Sequence, residues 1–147
     1  MKKIALLSII LIGFLMSAYA QEWMVESYME RTHISTKIGT SVGLVLSGNI
    51  KVGAFYQKHA NTSLFQEEEL PHLYEEHFKG IYFSYPIKQS KIFELDMKIR
   101  TGLTNVGFII TPSFHAYVEP IRKVRLGLGL GMRMLRPTVQ PSISITL

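Results

Sequence analysis

From Val124 to Met134 the chain reads Val-Arg-Leu-Gly-Leu-Gly-Leu-Gly-Met-Arg-Met, with a large apolar residue at every even position and glycine or arginine at every odd one. Alternate side chains of an extended strand point to opposite faces, so this ribbon has one continuously apolar face and one that is small or charged. In a soluble half-buried strand the apolar face looks into a core and the polar face into water. The inverse arrangement, apolar side chains toward lipid and polar ones toward a lumen, belongs to strands that cross a membrane in a closed barrel. The rhythm recurs in segment after segment of this chain, behind an export signal, and that combination selects the inverse arrangement.

The signal is read over Met1 to Ala20. Lys2 and Lys3 supply the positive start, Ile4 to Met16 an uncharged apolar stretch, and Ala18-Tyr19-Ala20 a small-x-small cleavage site. The expected organisation is a signal peptide over 1–20 and one barrel domain over 21–147. An uncleaved anchor is the competing reading, but the apolar stretch is short for a spanning helix of about 20 residues. No later segment is long, apolar and free of charge, whereas strands of about 9 to 11 residues can still span. There is no cysteine, which removes disulfides, thiolate metal sites and lipid attachment through a thiol. Without Lys2 and Lys3 the chain holds 14 Lys plus Arg against 11 Asp plus Glu. That mild excess, with no dense basic tract, argues against a nucleic-acid partner.

Lys91 to Leu103 is the clearest spanning segment after the glycine ribbon. Phe93, Leu95, Met97, Ile99, Thr101 and Leu103 share one face, and Ile92, Glu94, Asp96, Lys98, Arg100 and Gly102 the other. A soluble core cannot easily hide four charges, but a narrow lumen holds them if opposite signs pair. Phe108, Ile110, Pro112, Phe114, Ala116 and Val118 form a further apolar face, although Pro112 cannot donate to a sheet ladder. Ile34 to Leu46 alternates in the same way, Ser47-Gly48-Asn49 marks a tight turn, and Ile50, Val52, Ala54 and Tyr56 resume the pattern. Ile81 to Ile87 and Val139 to Leu147 add two more strands. Trp23 to Met29 is the faintest, and it decides between seven strands and eight.

An even number returns both termini to the periplasmic side, so the expected fold is an all-β, antiparallel, up-and-down transmembrane β-barrel of eight strands. Turns near Ser47-Gly48-Asn49, Lys88-Gln89-Ser90 and Glu119-Pro120-Ile121-Arg122 then lie at the periplasmic rim, and the longest connection, His59 to Phe78, faces outward. With this signal, alternation and turn spacing, the chain resembles the small eight-stranded outer-membrane barrels, the OmpA-transmembrane and OmpX-like class. The resemblance implies a bacterial outer-membrane location, with outer-membrane lipid, lipopolysaccharide, the barrel-assembly machinery and a surface protein as partners, and no cofactor. Such barrels commonly end in an aromatic residue that the assembly machinery recognises. This sequence departs from that form, ending Ile143, Ile145, Leu147.

Four constellations invite chemistry. The segment from Gln66 to His77 holds Glu67, Glu68, Glu69, His72, Glu75, Glu76 and His77, but its H-x-x-E-E-H order is one residue longer than the inverted zinc-protease motif. It reads as a solvated acidic loop, the candidate surface-interaction loop, which can select charged partners. Ser113, His115 and Glu119 share a strand face, yet alternate residues stand about 7 Å apart and parity alone does not make a triad. His33-Ile34-Ser35 matches the H-x-S fragment of outer-membrane lipid A deacylases, but near the mature N-terminus instead of late in the chain. Glu94, Asp96, Lys98, Arg100, Arg125 and Arg133 form the candidate lumen charge network. Their signs offset, and an eight-stranded barrel is only wide enough for side chains, so a closed plug is expected over a channel.

Gly127, Gly129 and Gly131 fit the same crowding, making room for Arg, Lys or Tyr across the lumen; they lack the P-loop pattern. Trp23, Tyr28, Tyr56, Tyr85 and Phe108 lie toward strand ends, where aromatic rings occupy the lipid interfaces. The functional expectation is a non-enzymatic outer-membrane barrel acting in envelope structure or surface interaction through its outer loops. A periplasmic lipocalin-like barrel, with apolar faces inward around a small ligand, and an outer-membrane lipid A acylhydrolase are the alternatives.

Overall fold

The computed structural model describes residues 20–33, 35–60 and 77–147. Eight strands run through them: β1 (Ala20–Arg31), β2 (Thr36–Leu46), β3 (Lys51–His59), β4 (His77–Gln89), β5 (Phe93–Thr104), β6 (Gly107–Ile121), β7 (Val124–Arg133) and β8 (Arg136–Thr146). Neighbours in sequence pair antiparallel, and β1 also pairs with β8, which closes the sheet into a barrel. Closure removes the open edge that hydrocarbon would not tolerate. The faintest pattern, Trp23 to Met29, lies within the 12-residue strand β1, and its ladders to β2 and β8 are what complete the ring. The signal expected over 1–20 lies outside the described residues, apart from Ala20, with which β1 opens.

Burial is inverted relative to a soluble barrel. Leu128 and Leu130 are 53% and 60% exposed, while Arg100 and Asp96 are 2% and 0% exposed. Along β2 the apolar Ile38 and Val42 stand outward and Lys37, Gly39, Ser41 and Gly43 inward; Thr36, at the start of β2, is buried. The lipocalin-like alternative required apolar faces turned inward, and the structure places them outward. A minority of apolar side chains does face in, with Met24, Val45, Phe55, Phe78, Tyr82 and Ile109 buried among the polar groups.

Trp23, Tyr56, Tyr85 and Phe108 project outward, as expected of rings at a lipid interface. Tyr28 does not: it shares the inward parity of Met24, Glu26 and Glu30 and is 6% exposed. Its position near a strand end suggested the interface, but strand parity decides the face.

Prolines sit where the ladders allow them. Pro86 adjoins a bulge between β4 and β5, and the ladder from β6 to β7 starts at Ser113 paired with Gly131, just past Pro112. On the end where the described residues begin and finish, with the start of β1 and the close of β8 as its termini, the turns span 47–50, 90–92 and 122–123; the opposite end carries 32–35, 60–76, 105–106 and 134–135. The expected contrast between short inner turns and long outer ones therefore rests on one connection, 60–76. The glycine ribbon ends one residue earlier than its pattern, because Met134 and Leu135 form a two-residue hairpin turn with φ of 47° and 66°. Both are left-handed values that usually favour Asn-Gly at such a turn.

Candidate functional site

The barrel interior is where charge collects. All six expected lumen residues face in: Glu94, Asp96, Lys98 and Arg100 on consecutive inward positions of β5, and Arg125 and Arg133 at the two ends of β7. The structure adds Glu26 and Glu30 of β1, Lys51 of β3 and Glu119 of β6. Glu26 and Glu30 were legible as alternating with Trp23, Val25 and Met29; the faintness of β1 hid them.

Three tiers of contacts run along the barrel. At the end away from the termini, Glu30 pairs with Arg100 and accepts from Arg133 Nη1 at 2.8 Å and Gln140 Nε2 at 3.0 Å. Arg133 also donates to Gln57 at 3.1 Å and lies over the Phe78 ring, 4.5 Å from its centroid. In the middle, Glu26 accepts from Lys98 at 2.5 Å, Tyr117 at 3.0 Å and Ser41 at 3.3 Å. Nearer the termini, Lys51 bridges Glu94 and Asp96, the latter at 2.6 Å, and Ser84 donates to Asp96 at 2.9 Å. Arg125 closes this end, donating to Glu94 at 3.1 Å and to Glu119 at 3.4 Å.

These ion pairs join five cations, Lys51, Lys98, Arg100, Arg125 and Arg133, to five anions, Glu26, Glu30, Glu94, Asp96 and Glu119. A buried charge without a partner costs several kcal/mol, roughly, after relaxation, so a mutually bonded set of opposite charges is what this interior can hold. The arrangement is a polar core: side chains from opposite walls meet and bond.

The ribbon glycines serve that packing in a way the sequence reading missed. Gly127 pairs across the ladder with Tyr117, Gly129 with His115 and Gly131 with Ser113. A Cβ at Gly129 would stand 2.4 Å from His115 Cε1, and one at Gly127 would stand 2.6 Å from Tyr117 Cε1. The rings therefore lie over glycines of the adjacent strand: at Gly127 the occupant is a tyrosine, Tyr117, which reaches on to Glu26 as expected, whereas at Gly129 it is a histidine instead of Arg, Lys or Tyr. Gly39 under Tyr28 and Gly53 under Tyr82 repeat the device on β2 and β3. A ring covering the glycine opposite it pins the register and replaces the missing side-chain packing.

The triad-like group divides. Ser113 Oγ and His115 Nε2 are 2.9 Å apart, closer than the spacing of alternate residues suggested, because side chains on one face can lean along the strand. Both are sealed in the interior, 2% and 1% exposed, and Glu119 turns away to Arg125 and the Lys123 backbone. In the H-x-S fragment, Ser35 lies in the turn from β1 to β2, its Oγ 3.1 Å from Thr32 Oγ1, while His33 is exposed and Ile34 lies outside the described residues. Of the candidate loop, Glu67, Glu68, Glu69, His72, Glu75 and Glu76 lie outside the described residues; His77 opens β4 and bonds Tyr56. Among the described residues no three His, Asp or Glu side chains gather as a metal-ligand set.

With this geometry in view, the likeness to known proteins is one of fold. No family model matches the chain, and no curated protein does. Among solved structures, a de novo designed transmembrane β-barrel superposes with a TM-score of 0.70 at 11% identity, over 87% of this chain and 97% of that one. The designed barrel TMB2.3 gives a TM-score of 0.60 at 14% identity, over 86% and 94%. The N-terminal β-barrel domain of Pseudomonas aeruginosa OprF gives 0.59 at 8% identity, over 87% and 98%. The chain thus has the fold of the small eight-stranded transmembrane β-barrels.

Proposed function

We propose that this protein is a non-enzymatic barrel of the bacterial outer membrane, acting in envelope structure and in surface interaction through the connection 60–76. One observation carries the reading: an exposed apolar belt surrounds an interior crossed by a network of bonded opposite charges. Such a wall belongs in lipid, and such an interior is a plug rather than a solute path. Placing both termini on the periplasmic side puts 60–76 outside the cell. The sealed position of Ser113 and His115, 2% and 1% exposed, favours this reading over the acylhydrolase one. Fractionation tests it: the protein is expected in the outer-membrane fraction, with unheated and boiled samples migrating differently on a gel. Recovery as a detergent-free periplasmic monomer would overturn the proposal.

The surface role has its own test. Lys58 paired with His77 is the last rung described between β3 and β4 before the connection, and residues 62–76 lie beyond it. Replacing them with a short Gly/Ser link should leave the heat shift intact, since loop length changes closure entropy only slowly. Any envelope or adhesion phenotype of the wild-type strain should vanish with the replacement. A phenotype that survives would assign the function to the wall or the interior instead.

A further inference from the structure

On β3 and β4, Tyr56 pairs with Lys79 and Lys58 with His77. All four side chains are exposed on the lipid-facing side, at the end from which 60–76 departs. They make a two-by-two block, whose direct neighbours have Cβ atoms about 4.5–5.5 Å apart and whose diagonals are about 7–8 Å long. Tyr56 and His77 satisfy each other across one diagonal, hydroxyl to Nδ1 at 2.9 Å with the rings 5.9 Å apart. Lys58 and Lys79 occupy the other diagonal, and among the described residues neither meets a carboxylate.

Their surroundings are apolar. Ile38 of β2 stands beside Lys58, and Leu103 of β5 beside Lys79. Ile81 follows two residues along β4, and all three apolar side chains are exposed. Lys91, Arg122 and Lys123, at the other end, lie in turns where water can reach them. Two ammonium groups rising from a ladder flanked by hydrocarbon need an anion at their own depth, and the headgroup phosphate of a lipid is the anion found there.

We propose that Lys58 and Lys79 together hold one phosphate group of an outer-leaflet lipid, whose chains lie along Ile38, Ile81 and Leu103. The proposal rests on the outer-membrane reading above and supplies its lipid partner with a site. The Tyr56–His77 bond crosses the block, and the placement of two lysines on the other diagonal favours a phosphate monoester, with its higher charge, over a diester.

Native mass spectrometry of the folded full chain in detergent tests this, with bisphosphorylated lipid A and its dephosphorylated counterpart as probes. Wild type should retain the phosphorylated lipid and discriminate against the other. Lys58→Gln/Lys79→Gln should retain about thirtyfold less, from about fivefold per charge removed near a lipid surface. Lys58→Arg/Lys79→Arg and Lys88→Gln/Lys91→Gln should bind as wild type does, and added inorganic phosphate should not displace the lipid. Every sample is first checked for the heat shift, whose absence in wild type would overturn the barrel reading itself. With the shift present, equal retention by the glutamine variant, failure to discriminate the two lipids or displacement by inorganic phosphate would each overturn the site. Binding that appears only after 62–76 is replaced would make the acidic segment the occupant of the lysine pair and would equally overturn the proposal.

Discussion

Glu30→Gln should lower the unfolding free energy of the barrel by about 3–5 kcal/mol, the cost of removing one partner from a buried ion pair. Glu30 pairs with two guanidiniums, Arg100 and Arg133, whose side chains are 2% and 4% exposed. Glutamine keeps the shape but presents an amide N–H₂ to groups that can only donate, and both ion pairs to Glu30 are lost at once. Urea unfolding in lipid vesicles, followed by loss of the heat shift, measures the effect. Glu119→Gln supplies the contrast: its carboxylate is 31% exposed, its partner Arg125 is 15% exposed, and the 3.4 Å contact lies at the rim. That variant should cost less than about 1 kcal/mol. Equal, small effects at both positions would mean that water reaches Glu30 and that the interior is an aqueous lumen instead of a plug.

The interior explains why this chain tolerates so many buried charges. A soluble core of similar size would be cheaper to build from hydrocarbon, and replacing a buried ion pair by apolar side chains is often neutral or stabilising. In a membrane the outside is already apolar, so an apolar interior would leave the strands with no preferred face and the register without a reference. Polar inward positions settle the face, and bonds between distant strands settle the register. Glu26 to Lys98 and Glu30 to Arg100 each tie β1 to β5, on opposite walls of the ring.

Most of the wall was readable because one face of each strand must meet lipid. The alternation of Leu126, Leu128 and Leu130 with glycine, or of Phe93 and Leu103 with Glu94 and Gly102, states strand, face and span together. β1 was faint because Met24 and Tyr28, both inward, are apolar enough to blur the contrast with Trp23 and Met29. What sequence could not supply was pairing. That Glu30 meets Arg133 depends on closure of the ring, and that His115 covers Gly129 depends on a register that the pattern of either strand alone leaves open. Tyr28 was misassigned for a related reason, since proximity to a strand end is visible in sequence and parity becomes decisive only once the strand's limits are known.

Leu128→Arg tests the orientation of the whole wall. Leu128 is central in β7, pairs with Ala116 and Pro141, and is 53% exposed on the outer face. An arginine there, near the bilayer midplane and far from either interface, should cost about 2–4 kcal/mol and reduce the fraction that inserts. Gly129→Ala, one residue on, points the other way, and its Cβ would meet His115 Cε1 at 2.4 Å. That overpacking should cost about 1–3 kcal/mol, and His115→Ala should relieve it. Bilayer thickness separates the two mechanisms. Thinner lipid shortens the path by which the arginine reaches headgroups and should reduce the Leu128→Arg penalty, while the clash at Gly129 lies inside the ring and should not respond. If Leu128→Arg inserts and unfolds like wild type in thick and thin bilayers alike, the face assigned here to lipid does not meet it.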